Sequence, residues 1–166
     1  MKKRLFALLC ALVLLLAACA APESEGGWVL YFPVTSCLDG PALAPQPLDS
    51  EETPGTEELI RRLLAGPDDD ALYNPFPRGV SLRFWYQENG ILHINLSEQY
   101  GGLSGMALTL ADYSIALTLC QLPGIDGVSI TVENDPIPFR YRQVLSPDDV
   151  LFSDLPSGEA MTEENH

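Results

Sequence analysis

The amino-acid sequence predicts an α+β domain, a β-α-β-β-α-β two-layer sandwich in which two helices pack on one face of a small antiparallel or mixed sheet. Three observations lead to this fold class. Apolar residues alternate between Val80 and Ser97, which is typical of two half-buried strands. An almost wholly apolar run from Met106 to Gln121 indicates a central helix. A stripe at helical spacing predicts a shorter helix before the strands, formed by Leu59, Ile60, Leu63 and Leu64.

The turn inside the strand pair decides which side chains share a face of the sheet. A two-residue Asn89-Gly90 turn would set apolar Tyr86 opposite polar His93. A three-residue loop starting at Glu88 would instead pair Tyr86 with Leu92, and the apolar residues that precede and follow them. We therefore predict the three-residue loop, with Gly90 left-handed in a bulge.

With this register, four side chains share the outward face of the sheet: Arg83, Trp85, His93 and Asn95. A tryptophan beside an arginine has the composition of an interface anchor, so this face is the predicted interaction surface. The alternative is that the chain's own C-terminal segment covers it, through Phe139 and Tyr141.

The remaining elements follow from apolar runs and breaks in the chain. The run Trp28–Phe32 predicts a first strand, and the alternation from Val128 to Val132 predicts a final core strand. Proline-rich residues 33–55 are expected to form a mobile loop, with a binding loop as the alternative. The domain should span residues 28–145, with a short edge strand within 139–145, followed by an acidic and largely disordered tail over 146–166.

The N-terminus carries an export signal. Lys2-Lys3-Arg4 precedes an apolar run from Leu5 to Ala18, which is shorter than the roughly 20 residues that span a bilayer. Leu16-Ala17-Ala18-Cys19 resembles the bacterial lipobox. We therefore predict a signal peptide over 1–18, lipidation with palmitate-type chains at Cys19, a tether over 19–27, and a location on the extracytoplasmic face of the cell membrane. An ordinary signal peptide with an incidental cysteine is the alternative.

Charge excludes several partners. The chain has 9 basic and 23 acidic side chains and a net charge of −14. Because binding to nucleic acid depends on cationic side chains, no nucleic-acid partner is expected. Anionic lipid headgroups are disfavoured for the same reason, which leaves the lipid at Cys19 as the membrane contact.

The sequence predicts no catalytic residue, no cofactor and no metal site. His93 is the only histidine before His166, and no acid is expected beside it, so a surface histidine is the better interpretation. Asp68-Asp69-Asp70 has the chemistry of a calcium ligand set but lacks the rest of a calcium loop, which favours a solvated acidic loop. Cys37 and Cys120 are candidates for a disulfide in an exported protein; the alternative is that Cys120 is a buried small apolar residue.

A set of motifs in fixed order resembles the GerMN domain family, which is named for a protein of sporulation and spore germination and is common in exported bacterial lipoproteins. The motifs lie at Leu63–Pro67, Pro77–Gly79, Ile94–Ser97 and Thr118–Ile125. The chain departs from the family at Asn95, where an acid is common, and at Asn134-Asp135, where a glycine turn is common. The family fold is similar to ring-building modules, which implies self-association or docking into an envelope assembly.

These observations together predict a non-enzymatic, lipid-anchored protein-interaction module of the bacterial envelope, linked to sporulation, spore germination or envelope assembly. The alternative function is binding of a cell-wall glycan or small ligand, with Trp85 as a stacking surface.

Overall fold

The computed structural model describes residues 27–36, 41–50, 53–138, 140 and 142–149. In chain order the strands and α-helices are β1 (Val29–Pro33), β2 (Leu43–Pro47), α1 (Thr56–Ala65), β3 (Leu82–Glu88), β4 (Ile91–Leu96), α2 (Gly105–Leu119), β5 (Gly127–Val132), β6 (Asp135–Pro136) and β7 (Val144–Leu145). Short 3₁₀ helices occupy Glu98–Gly102 and Pro147–Asp149. The predicted α+β class and both predicted helices are confirmed.

The strands form two sheets rather than one. β3 pairs antiparallel with β4, and β4 pairs parallel with β5, on which the short strands β6 and β7 are added. β1 instead pairs antiparallel with β2 in a separate two-stranded sheet. A parallel pair needs a crossover connection, and α2 supplies it between β4 and β5.

β2 corrects the prediction for residues 33–55, because part of that segment is a strand. Leu43 and Leu48 are buried, and the backbone N–H of Leu48 donates to the Trp28 carbonyl at 2.7 Å. The prolines concealed this strand from the sequence analysis. They are tolerated because, among the described residues, β2 pairs with β1 only, and an edge strand needs no donor on its outer side.

β1 is tied to α2 and its C-terminal end by the side chains of Thr118, in the helix, and Gln121, just after it. The Tyr31 N–H donates to Thr118 Oγ1 at 3.0 Å, and Gln121 both accepts from the Val29 N–H and donates to its carbonyl. These bonds satisfy backbone groups of β1 that face away from β2. The second half of α2 is buried on nearly all sides, as its continuous apolar sequence predicts.

An ion pair is buried in the core. The Arg140 guanidinium binds the Asp112 carboxylate through two hydrogen bonds of 2.6 and 2.9 Å, and it also donates to the Ile130 carbonyl at 2.8 Å. The Tyr100 hydroxyl donates to Asp112 at 2.7 Å. The side chains of Arg140 and Asp112 are only 4% and 5% exposed. This cluster joins α2, β5, the 3₁₀ helix after β4 and the segment after β6.

Burial raises the pKa of two groups in this cluster, the Asp112 carboxyl and the Tyr100 hydroxyl. It raises the pKa of the Asp112 carboxyl, while Arg140 and Tyr100 oppose the rise. Burial and the neighbouring Asp112 raise the pKa of Tyr100 well above its usual value, so its hydroxyl stays protonated and remains a donor.

The C-terminal boundaries differ from the prediction. Among the described residues of the predicted edge strand over 139–145, Val144–Leu145 form a strand and residues 140, 142 and 143 do not. Phe139 and Tyr141 lie outside the described residues. The predicted tail over 146–166 begins too early. Asp149 accepts from the Ser146 N–H and hydroxyl, and its own carbonyl accepts from the Tyr113 hydroxyl at 3.0 Å. The folded domain therefore continues to at least Asp149.

The hairpin register also corrects the prediction. Glu88 pairs with Ile91 and Tyr86 with His93, so the turn is the two-residue Asn89-Gly90 turn. Asn89 and Gly90 have φ angles of 50° and 78°, as a type I′ turn requires. A bulge lies where Arg83 stands, between Leu82 and Phe84. The predicted three-residue loop assumed that β3 is half buried, whereas nearly all of β3 is exposed.

Loss of Arg140 should destabilise the fold strongly. Arg140→Leu leaves the Asp112 carboxylate buried without its partner, and we expect the free energy of unfolding to fall by about 3–5 kcal/mol. Urea denaturation measures this. Arg62→Ala is the control, since Arg62 and Glu58 form an exposed pair and its loss should change stability by less than about 0.5 kcal/mol. Equal effects of the two substitutions would contradict the assigned role of the cluster.

The deficit of Arg140→Leu should depend on pH. Without Arg140, the pKa of Asp112 in the folded state lies further above the unfolded value of 3.8. The folded state then binds more protons than the unfolded state, so stability falls as pH rises above about 4. Urea denaturation at pH 4 and pH 7 should show the larger deficit at pH 7.

Gly90→Ala tests the turn. Alanine in the left-handed conformation of Gly90 should lower the free energy of unfolding by about 1–2 kcal/mol. In addition, its Cβ would lie 2.3 Å from Asp126 Oδ2, so that the Asp126 side chain must move. Gly79→Ala is the matched control, because Gly79 has a φ of +85° with no atom within 4 Å of the added carbon. We expect urea denaturation to show the greater loss for Gly90→Ala.

Candidate functional site

The observed register separates the four residues of the predicted interaction surface. Directly paired residues of an antiparallel sheet place their side chains on the same face. Trp85 pairs with Ile94, which is buried in the core, whereas Tyr86 pairs with His93. Trp85 therefore lies on the face that carries the helices, and His93 lies on the opposite face. The prediction that Trp85 and His93 face each other is wrong.

On the face away from the helices, His93 and Asn95 are structural. The rings of Tyr86 and His93 stack with centroids 4.5 Å apart and planes 6° from parallel. Asn95 is 1% exposed and donates from Nδ2 to Thr131 Oγ1 at 2.9 Å. Asn95 is thus a buried link between β4 and β5 rather than a contact residue.

Arg83 stands at the bulge of β3 and reaches across the sheet to Glu133. Its Nε and one terminal nitrogen donate to Glu133 Oε1 at 3.1 and 3.0 Å. About half of each side chain is exposed, so the pair contributes little to stability.

Trp85 and Arg83 line a groove between α1 and β3. The groove has a volume of about 620 Å³, and α1 contributes Glu57, Arg61, Leu64 and Ala65 to it. The opposite wall consists of residues 80–85. Arg61 forms no ion pair with any other residue that the structure describes.

β3 is the edge of its sheet. Within the described residues it pairs with β4 only, so its other side is open. Its three consecutive aromatic residues are all exposed: Phe84 by 46%, Trp85 by 40% and Tyr86 by 49%. Since neighbouring residues in a strand point to opposite faces, the aromatic side chains flank the open edge on both sides.

The sequence pattern indicates Trp85 and Arg83 as contact residues but does not indicate Arg61 or the groove. Three adjacent aromatic residues were the available signal. Successive side chains of a strand point to opposite faces, so three adjacent aromatic residues place aromatic side chains on both faces. In this strand both sets are exposed.

Asp68-Asp69-Asp70, which has the chemistry of a calcium ligand set, forms an ordinary turn. Asp69 Oδ1 accepts from the Ala71 N–H at 2.8 Å, and the Asp68 N–H donates to Gln46 Oε1, as in an ordinary turn. No group of three or more histidine, cysteine or acidic side chains there is placed to hold a metal ion. Among the helices of those residues, none has the length and apolar character needed to cross a bilayer.

The lipidation site Cys19 and the cysteine Cys37 lie outside the described residues, so the lipid and the disulfide stay predictions. Cys120 follows α2 and is partly buried. Burial, and to a lesser degree the nearby Asp126, raises the pKa of its thiol to about 11. As a thiol, Cys120 is therefore a poor nucleophile at neutral pH.

The sequence and the order of elements match known proteins. A family model described as "Germane: Sporulation and spore germination" matches residues 29–138. The chain belongs to this family. The resemblance to GerMN domains that the sequence motifs indicate is confirmed, and no curated protein matches the chain.

Two solved structures have the same fold as this family member. The first GerMN domain of the sporulation protein GerM from Bacillus subtilis superposes with a TM-score of 0.56 at 16% identity, covering 73% of this chain and 98% of that domain. The tandem GerMN domains of GerM give a TM-score of 0.54 at 18% identity, covering 78% of this chain and 48% of the pair. The chain thus corresponds to about one domain of the tandem.

Cys120 should react slowly in the reduced, folded protein. With a pKa near 11, only a small fraction of the thiol is ionised at pH 8. After reduction, we expect alkylation of Cys120 by iodoacetamide to be at least about tenfold slower in the folded than in the urea-unfolded chain, followed by mass spectrometry of its peptide. Equal rates would contradict the burial. In the urea-unfolded chain, protection of Cys120 before reduction but not after would reveal a disulfide, for which Cys37 is the predicted partner.

Proposed function

We propose that this chain is a non-enzymatic, lipid-anchored module of the bacterial envelope that acts by binding another protein during sporulation, spore germination or envelope assembly. The observation that carries the proposal is the open, aromatic edge of β3. Unpaired backbone groups beside exposed aromatic side chains are suited to contact with another chain. Membership in the sporulation and germination family supports the process.

The lack of a catalytic arrangement in the described residues supports binding rather than catalysis. His93 is stacked on Tyr86, and within the described residues no carboxylate is hydrogen-bonded to it to orient it as a base. The perturbed acid Asp112 is buried and held by Arg140, where no substrate reaches it. The groove beside β3 contains an exposed indole and guanidinium groups, which are binding groups.

The anchor rests on the sequence around Cys19. Each buried methylene of an acyl chain contributes about 0.8 kcal/mol, so two chains hold a protein stably on a membrane. The tether of residues 19–27 would keep the domain close to the bilayer surface, where envelope partners are also found.

A second candidate function is binding of a cell-wall glycan in the groove. Trp85 favours it, because an exposed indole in a groove is suited to stacking against a sugar ring. Titration calorimetry with purified wall fragments tests it. We expect heat of binding that Trp85→Ala removes if this function is correct, and no heat if the protein-binding function alone applies.

The leading proposal is tested in cells that carry the wild-type chain or Cys19→Ser. An alkyne analogue of palmitate should label the wild type only, because Cys19 provides the only thiol at the predicted cleavage site. Formaldehyde crosslinking followed by mass spectrometry should then recover the wild type with a second envelope protein, and Cys19→Ser with less of it. Recovery of the labelled wild type as an isolated monomer at every growth stage would contradict the proposal.

A further inference from the structure

The strand pairing and the charges around β3 indicate where the proposed protein partner binds and what chemistry it has. We propose that an extended, acidic segment of another protein adds a strand to the open edge of β3 and places alternate side chains in the groove between β3 and α1. This inference rests on the proposed function and specifies its surface.

The hairpin register determines which backbone groups of β3 are available. Glu88 and Ile91 close a two-residue turn, and the pair that closes such a turn exchanges both of its hydrogen bonds. Hydrogen-bonded and non-hydrogen-bonded pairs then alternate along the strands. Gln87 and Trp85 fall in the non-hydrogen-bonded pairs, so their N–H and C=O groups point to the open edge. A partner strand can bind these groups without disturbing β4.

The groove gives the added strand a place for its side chains. Trp85 lies on the helix-bearing face, and Leu64 of α1 lies across the groove from β3. A strand paired with β3 would direct every second side chain to this face, between Trp85 and Leu64. Recognition by an added strand commonly works in this way, with backbone bonds for affinity and pockets for alternate side chains for specificity.

Charge selects an acidic partner. The chain as a whole has a net charge of −14, yet two arginines and one glutamate line the groove. Arg83 is already paired with Glu133, whereas Arg61 has no ion pair within the described residues. A carboxylate on the incoming strand would supply a partner for Arg61, and a lysine there would meet like charge. A second copy of this acidic chain is disfavoured by long-range repulsion.

Gln87→Pro and Gln87→Ala form a matched pair of variants. Both lose the hydrogen bond from Gln87 Nε2 to the Gly124 carbonyl, but only proline also removes the N–H that faces the open edge. Proline is tolerated at such a position of an edge strand. Thermal unfolding should show that both variants are folded.

The probe is a fluorescein-labelled octapeptide in which valine alternates with aspartate, compared with one in which valine alternates with lysine. Fluorescence anisotropy with the full chain in detergent micelles should show tighter binding of the aspartate peptide. Gln87→Pro should weaken that binding about fivefold or more relative to Gln87→Ala, since it removes one hydrogen bond. Arg61→Glu should reverse the preference between the peptides.

Several results would overturn the inference. These are equal binding by Gln87→Pro and Gln87→Ala, a preference of the wild type for the lysine peptide, or binding of neither peptide. Wall fragments that bind in a manner sensitive to Trp85→Ala but not to Gln87→Pro would assign the groove to a glycan instead. Dimerisation of the wild type that Gln87→Pro abolishes would assign the edge to a second copy.

Crosslinking in cells separates failure of this inference from failure of the proposed function. A photoreactive benzoylphenylalanine is placed at Phe84 on β3, or at Tyr73, which is 40% exposed and lies outside the groove. Crosslinks to another protein from position 84 support the inference. Crosslinks from position 73 only would overturn it while the binding function stands, and no crosslink from either would overturn both.

Discussion

The buried ion pair of Asp112 and Arg140 holds together the parts of this fold that are distant in sequence. Asp112 lies on the apolar helix α2, and a carboxylate there is costly unless it is paired and hydrogen-bonded. Arg140 meets this requirement from the segment after β6, and it also binds the carbonyl of Ile130 on β5. Tyr100 completes the set from the 3₁₀ helix after β4. Together with the apolar core, these bonds hold α2 against β5 and so support the β4–β5 crossover.

The core is organised around α2, β4 and β5. The outer edge of β3 therefore stays unpaired within the described residues. Most of the residues that β3 pairs with on β4 are buried, whereas β3 itself is exposed along almost its whole length. Proteins usually blunt such an edge with charges or bulges, and β3 has both at Arg83. Even so, its aromatic side chains remain in solvent. An edge that is only partly protected favours a binding role over a purely structural one.

The groove differs in charge from the rest of the molecule, because two arginines and one glutamate line it whereas the whole chain has a net charge of −14. A strongly acidic protein avoids unspecific contact with phosphate groups, but it also repels acidic chains. Arginines collected beside one open strand create a local exception to that repulsion. Contact at this place then requires a partner with matching charge and an extended conformation, which is a more selective requirement than apolar area alone.

The sequence by itself determined the α+β class, both helices, the final core strand and the family, because periodic apolar patterns and ordered motifs are local properties of the chain. The structure alone decided the pairing. The apolar pattern disfavours the two-residue Asn89-Gly90 turn because that turn sets apolar Tyr86 opposite polar His93, yet the two rings stack in that register. β2 was concealed by prolines, and the Asp112–Arg140 pair joins residues 28 positions apart. Each depends on neighbours distant in sequence, and so only the folded chain reveals which faces are buried and which edge is open.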